Sequence, residues 1–263
     1  ILALLRLGGT APWVGAVSAL MYVTLPFMLL GYHLIPRLGV SGTAGLFWFI
    51  RSCSAAFMIV APWAAAHFGT QAGLWCMFLG SLGFMLGRAG GLASFTGIIT
   101  ELTTQRDRGE LISTSFKIYQ TGAILVTALM AVSLGQDAPI HRYQIFFAIG
   151  LVSGVVASIA LWNIPEAGLF RKAPPFSLRD ELRWATSTRG RRWFLAMMLA
   201  IPVAQGLTRT FLILVAKQGY GLTDQAVVVL VIVGMLGGVV ASYSYGLFLD
   251  QLGSRPLLVL TVF

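Results

Sequence analysis

The chain has 263 residues, of which 57% are hydrophobic and 10% charged, with a formal charge of +9 and a mean hydropathy of +0.83. Those values exclude an ordinary soluble domain, in which polar residues interrupt every apolar run. The charge-free runs are long enough to cross a hydrocarbon core, which takes about 20 helical residues, and they lack the alternation of barrel strands.

In chain order, the runs predict helical spans over residues 11–36, 44–66, 72–100, 112–135, 143–164, 193–216 and 225–249, with a truncated one from 256. The expected fold class is therefore an all-α, multi-pass integral membrane bundle. The chain begins at Ile1 and stops at Phe263 within an apolar run, so it reads as a fragment cut at both ends.

Loop charge gives the expected orientation, because Lys and Arg in short loops stay on the cytoplasmic side. Alternate loops hold Arg37; Arg106, Arg108 and Lys117; Arg171, Lys172, Arg179, Arg183, Arg189, Arg191 and Arg192; and Arg255. The opposite loops hold Arg6, Arg142 and Lys217. The bacterial inner membrane is the expected location, with the start of the chain outside and an odd number of spans, most simply one, missing upstream. The positive charge is spread over loops and forms no basic face for nucleic acid.

The long loop over 165–192 divides the chain into an N-terminal bundle, 1–164, and the start of a C-terminal one, 193–263. Within it Ser177 and Asp180 form a capping-box pattern that predicts a short amphipathic surface helix, and the loop also reads simply as a solvated basic linker. Gly83, Gly87 and Gly91, Gly150 and Gly154, and Gly234 and Gly238 repeat at four-residue spacing and predict packing seams. Cys53 and Cys76 lie inside apolar runs and read as small packing residues; neither a metal nor a cofactor is expected.

The stretch from Gly246 through Asp250 and Gly253 to Arg255 resembles the signature loop of the major facilitator superfamily. Asp250 in that loop is suited to accept from the first amides of the following helix or to pair with a base. Glu101 and Arg108 are similar to the acid and arginine of sugar-porter members, and Pro165-Glu166-Ala167-Gly168 resembles their proline-glutamate motif. The resemblance implies two pseudo-symmetric six-helix halves, with family spans two to nine present here. It also implies a cytoplasmic gate built from Glu101, Arg108, Glu166, Gly246, Asp250, Gly253 and Arg255, which holds the outward-facing state. The first copy of the loop would fall between Tyr32 and Gly39, where no acid stands, and the glycine-proline pattern of proton antiporters is missing from 112–135.

Charged groups within a membrane cost about 2.5–3.5 kcal/mol on insertion scales and are functional candidates by default. Arg51, Arg88 and Arg209 sit well inside spans, and all nine acids lie in loops or at span ends. Arg88 also resembles the arginine-glycine stretch of proton-coupled family members. Each arginine either binds an anion or satisfies itself on carbonyls or an acid of another helix; Arg51 is expected to snorkel toward the cytoplasmic edge. Candidate solute contacts are Arg88, Arg209, Gln205, Gln120, Tyr119 and Thr208.

The expected function is a secondary active transporter that moves a small solute by alternating access, with protons or another ion as coupling partner; the buried arginines point to an anionic solute. It is expected to be monomeric. A facilitator-like assembly factor that no longer transports is the alternative. An enzyme is not expected, because no acid, histidine or cysteine cluster has catalytic spacing.

Overall fold

The computed structural model describes residues 1–104, 107–135, 138–170 and 177–252. Every regular element among them is helical: α1 (Leu2–Arg6), α2 (Ala11–Val23), α3 (Met28–Phe68), α4 (Thr70–Leu102), α5 (Arg108–Leu134), α6 (Ile140–Trp162), α7 (Leu178–Ala185), α8 (Arg189–Leu214) and α9 (Asp224–Leu252). A 3-10 turn, Leu25–Phe27, precedes α3, and a π turn, Val215–Gly219, ends α8.

Among the described residues, four helical stretches are long and apolar enough to cross a membrane: Ala11–Phe68, Thr70–Leu102, Arg108–Leu134 and Ile140–Trp162. The first is 58 residues long and covers two predicted spans, 11–36 and 44–66. The predicted spans 193–216 and 225–249 are helical as α8 and α9.

Outward-facing side chains agree with a lipid environment. Ile145, Ile149, Val152, Val156 and Ile159 of α6 are all more than half exposed and follow one another at three- and four-residue steps. That leaves an apolar stripe about 20 Å long on one helix face. A face of that kind is stable in hydrocarbon and an aggregation hazard in water. Trp13, Trp75 and Phe78 cluster edge to face at one end of the helices, where Trp63 is also exposed, as interfacial aromatics do.

The chain divides into two compact units. The first comprises Ile1–Ser113 and Pro139–Phe194, and its core is the pairing of α3 with α4. Gly73, Gly80 and Gly87 recur every seven residues along α4, as do Gly83, Gly90 and Gly97 three residues on. A Cβ at Gly73 would meet Ala65 at 2.6 Å, at Gly80 Met58 at 2.8 Å, at Gly83 Ser54 at 2.7 Å and at Gly97 Val40 at 2.6 Å. At Gly87 it would strike the Phe47 carbonyl and the Arg51 backbone, each 2.7 Å away, and at Gly90 the Phe47 ring. The seam is thus a heptad repeat of missing side chains that lets two helices approach to backbone contact. Gly83 and Gly87 belong to it as expected, whereas Gly91 makes ordinary contacts at 3.7 Å.

Helix α6 closes on the other side of α3. Gly154 faces Ser52, Gly45 receives Trp162 and the Ser158 carbonyl, and the Gln144 amide nitrogen donates to the Ile59 carbonyl at 2.7 Å. Gly150 approaches nothing within 4 Å among the described residues, so the expected Gly150–Gly154 pair is a seam at one end alone.

The predicted first span is two helices rather than one. Pro26 lacks the amide that would continue α2, and the Thr24 hydroxyl takes up the Leu20 carbonyl at 2.7 Å, so the chain passes through the 3-10 turn before resuming as α3. The expected links between spans, 37–43 and 67–71, collapse to single glycines. Gly39 adopts φ 78° and ψ 173° inside α3, and Gly69 adopts φ 89° and ψ 161° between α3 and α4. One residue at positive φ redirects the chain where several were expected, which a glycine does without steric cost.

The second unit comprises Thr114–Ala138 and Leu195–Phe263, so it takes most of α5 together with α8 and α9. The expected bundle boundary at 165–192 is a boundary in sequence, whereas this grouping is spatial. The Gln225 amide donates to the Gly135 carbonyl at 3.1 Å, tying the start of α9 to the end of α5. A Cβ at Gly234 or Gly238 meets nothing within 4 Å among the described residues, so that predicted seam makes no close approach there.

Candidate functional site

The break at Gly39 starts a new helix whose first amides have no intrahelical acceptor. Glu166, four residues beyond the end of α6, fills that place: its Oε1 accepts from the backbone amide of Ser41. The carboxylate also lies where a Cβ on residue 39 would be, and the φ of 78° is one that favours glycine. The Thr43 hydroxyl, fully buried, donates to the Gly39 carbonyl at 2.6 Å and finishes the turn. An anion at a helix N-terminus also gains from the aligned peptide dipoles, by about 0.3–1 kcal/mol at exposed sites.

The same segment is held from its other side by Glu101, in the last turn of α4. Its Oε2 accepts from the Gly168 amide at 3.1 Å and its Oε1 from the Phe170 amide at 3.3 Å. Gly168 has φ 78°, which turns the chain so that both amides converge on one carboxylate. Phe170 then packs on the cluster of Ile35, Val40 and Ala93, between α3 and α4. Residues 165–170 therefore form a clamp with a carboxylate contact to each helix and an aromatic plug beside them. A cleft of about 420 Å³ opens between Glu166, Leu38 and Trp162.

Of the expected gate residues, Glu101 and Glu166 are thus brought to one short segment. Each accepts from backbone amides there. Arg108 is the first residue of α5, and its Nε is buried with no hydrogen-bond partner among the described residues. Gly246 and Asp250 lie on the helical backbone of α9, while Gly253 and Arg255 fall outside the described residues. Phe170 carries no ionisable or polar group, so nothing in its local sequence marks it as part of the clamp.

The candidate solute residues are spread over three helices. Arg88 is a half-buried residue of α4, next to the Gly87 that abuts Arg51. Tyr119 and Gln120 are on α5, Tyr119 being 70% exposed. Gln205, Thr208 and Arg209 are on α8, and the Thr208 hydroxyl donates to the Ala204 carbonyl of its own helix at 2.9 Å.

Arg51 lines a cavity of about 620 Å³ bounded by Ile1 and by α1, α2, α3, α4 and α6. Its guanidinium carbon lies 4.2 Å from the Phe84 ring centroid and 4.6 Å from that of Trp48. Cation–π contact with both rings favours that position of the charge.

In the second unit, Lys217 Nζ and Asp224 Oδ1 form an ion pair at 2.5 Å, with Asp224 fully buried. The π turn makes this possible: the Tyr220 amide reaches back to the Val215 carbonyl and the Leu222 amide to Ala216, each at 3.0 Å. Lys217 and Asp224 are seven residues apart in what the sequence presents as an ordinary short loop. Local pattern gave no sign that the acid would be buried.

No family model matches the chain, and neither a curated protein nor a solved structure matches it.

Proposed function

We propose that the protein is a secondary active transporter of the major facilitator type, moving a small solute across a bacterial inner membrane by alternating access. The observation that carries this reading is the position of Glu166. In the signature loop the acid serves to receive the first amides of the next helix, and the first copy of that loop, between Tyr32 and Gly39, has no acid of its own. Glu166 supplies the missing carboxylate from a segment 125 residues away, with Glu101 holding the same segment to α4. A contact between distant segments can be made and broken as helices rock; an acid within the loop would stay in place.

On this reading the Glu166 end of the helices faces the cytoplasm, in line with the excess of Lys and Arg in the connections at that end. Arg88 and Arg209, with Gln120, Tyr119, Gln205 and Thr208, are the proposed solute contacts, and the sequence motif that holds Asp250 and Arg255 is the proposed second copy of the latch.

The test uses a single cysteine at Ala167 in the full-length protein, with Cys53 and Cys76 replaced by alanine. Ala167→Cys is expected to be labelled from the cytoplasmic side of membrane vesicles, and faster when Glu166→Gln is added. Labelling from the outside, or an unchanged rate with unchanged solute uptake, would remove the latch. A solute-dependent rise in thermal stability supports transport. A stoichiometric co-purifying partner with no solute response would replace transport by an assembly role.

A further inference from the structure

The eight residues of α7 sort by side. At about 100° per residue, Leu178, Leu182 and Ala185 share one face, and Arg179 and Arg183 run along its flank. Both leucines are exposed, so that face is left without a cover among the described residues. Trp184 lies on the far side, where the Arg191 guanidinium carbon stands 4.0 Å from its ring centroid. The same guanidinium donates to the Trp184 carbonyl at 3.2 Å and to the Ser187 hydroxyl at 2.8 Å, which holds α7 against the first turn of α8.

Between Ser177 and Phe194, five arginines stand against two acids. Asp180 and Glu181 occupy the first turn of α7, where the helix dipole favours them. Arg179, Arg183, Arg189 and Arg192 are exposed and enter no ion pair among the described residues. Their planar donors match phosphate oxygens two at a time. Phe170 packs on Ile35, Val40 and Ala93, and Ser177 follows seven residues later, so α7 starts within about 25 Å of that cluster. Helices α4 and α6, both long and apolar enough to cross a membrane, end at Leu102 and Trp162, beside the clamp that holds Phe170.

We infer that α7 lies along the adjoining membrane leaflet, with Leu178, Leu182 and Ala185 against the acyl chains and Arg179, Arg183, Arg189 and Arg192 on the phosphates of anionic lipids. A protein partner fits the face poorly. Helix α7 is about 12 Å long, and two leucines and an alanine fall far short of the roughly 800 Å² that a stable protein interface takes from each partner. A lipid surface needs no such area, because α7 is tethered through the chain at both ends, and surplus positive charge is complementary to headgroups of net negative charge. The inference is separate from the transport reading and holds equally for an assembly factor.

The experiment uses the full-length protein in nanodiscs, with Cys53 and Cys76 replaced by alanine and an environment-sensitive dye on Leu182→Cys. Nitroxide-labelled phosphatidylglycerol and phosphatidylcholine, added separately at the same low mole fraction, report which lipid stands beside the dye. Phosphatidylglycerol is expected to quench about fivefold more effectively at low salt, and the preference should fall toward one in about 0.5 M salt. Replacing Arg179, Arg183, Arg189 and Arg192 together by glutamine should remove the preference while quenching by phosphatidylcholine persists, since the apolar face is intact. Replacing the same four by lysine keeps the charge and should retain most of the preference, which separates loss of charge from damage to the fold. Equal quenching by the two lipids in the parent protein would overturn the inference, as would a preference that survives the glutamine variant. Absence of quenching by either lipid would give the face to a protein neighbour and overturn it as well.

Discussion

The Glu166 carboxylate accepts a hydrogen bond from the Ser41 amide across 125 residues of sequence, at the one point inside α3 where the backbone leaves the helical region. Two structural needs meet there. A helix start requires an acceptor, and the chain connecting α6 onward requires an anchor on the first unit.

Glu166→Ala should therefore destabilise the full-length protein by about 1–2 kcal/mol, the usual worth of a lost cap with charge assistance. Glu166→Gln keeps an oxygen acceptor and loses the charge, so its effect should be smaller. Thermal unfolding in detergent, followed by tryptophan fluorescence, checks the order; equal midpoints for all three proteins would show that the cap contributes nothing.

Gly39→Ala should be more damaging than Glu166→Ala. It places a Cβ at positive φ and drives it into the carboxylate. Gly42→Ala, three residues on, meets only Leu38 at 3.5 Å and is the matched control, expected near wild type. Comparable yields of folded Gly39→Ala and Gly42→Ala by size-exclusion chromatography would contradict the assigned backbone.

Along the α3–α4 seam, Gly90→Val should abolish folding by forcing the Phe47 ring out of place, and Gly80→Val should act similarly against Met58. Gly91→Ala lies on the same helix, with its nearest contact at 3.7 Å, and should be tolerated. Expression as a monodisperse species in detergent reads the difference, and a failure of Gly91→Ala alone would move the seam.

The Lys217–Asp224 pair is buried on its acidic side, so removing one partner takes away an attraction that offsets the cost of burying the charge. Lys217→Met or Asp224→Leu should each cost about 3–5 kcal/mol, and the double variant should be more stable than either single one. A double-mutant cycle on thermal unfolding measures the coupling; additive losses would mean that the two groups do not interact.

Much of this architecture is legible in the sequence. The apolar runs place α4, α5, α6, α8 and α9 to within several residues, because burial in lipid demands continuous hydrophobicity that composition alone displays. Ser177 caps α7 by accepting from the Asp180 amide at 3.4 Å, as the local spacing predicts. The glycine seam was legible in part. A four-residue repeat drifts by about 40° per step around a helix, and a seven-residue repeat by about 20° in the opposite sense. Over the 33 residues of α4 the heptad series stays against α3, and Gly91 leaves it.

What the sequence by itself determined is which stretches are apolar enough to cross a membrane, that they are helical, and some of the glycines where side chains would obstruct them. Only the tertiary structure decided which groups meet: Glu166 with Ser41, Glu101 with Phe170, Arg51 with Trp48 and Phe84, and Lys217 with Asp224. Helix formation follows from nearest neighbours and the surrounding medium, so it is written locally. A carboxylate's choice of partner depends on which backbone amides the fold leaves open, and these lie on other helices.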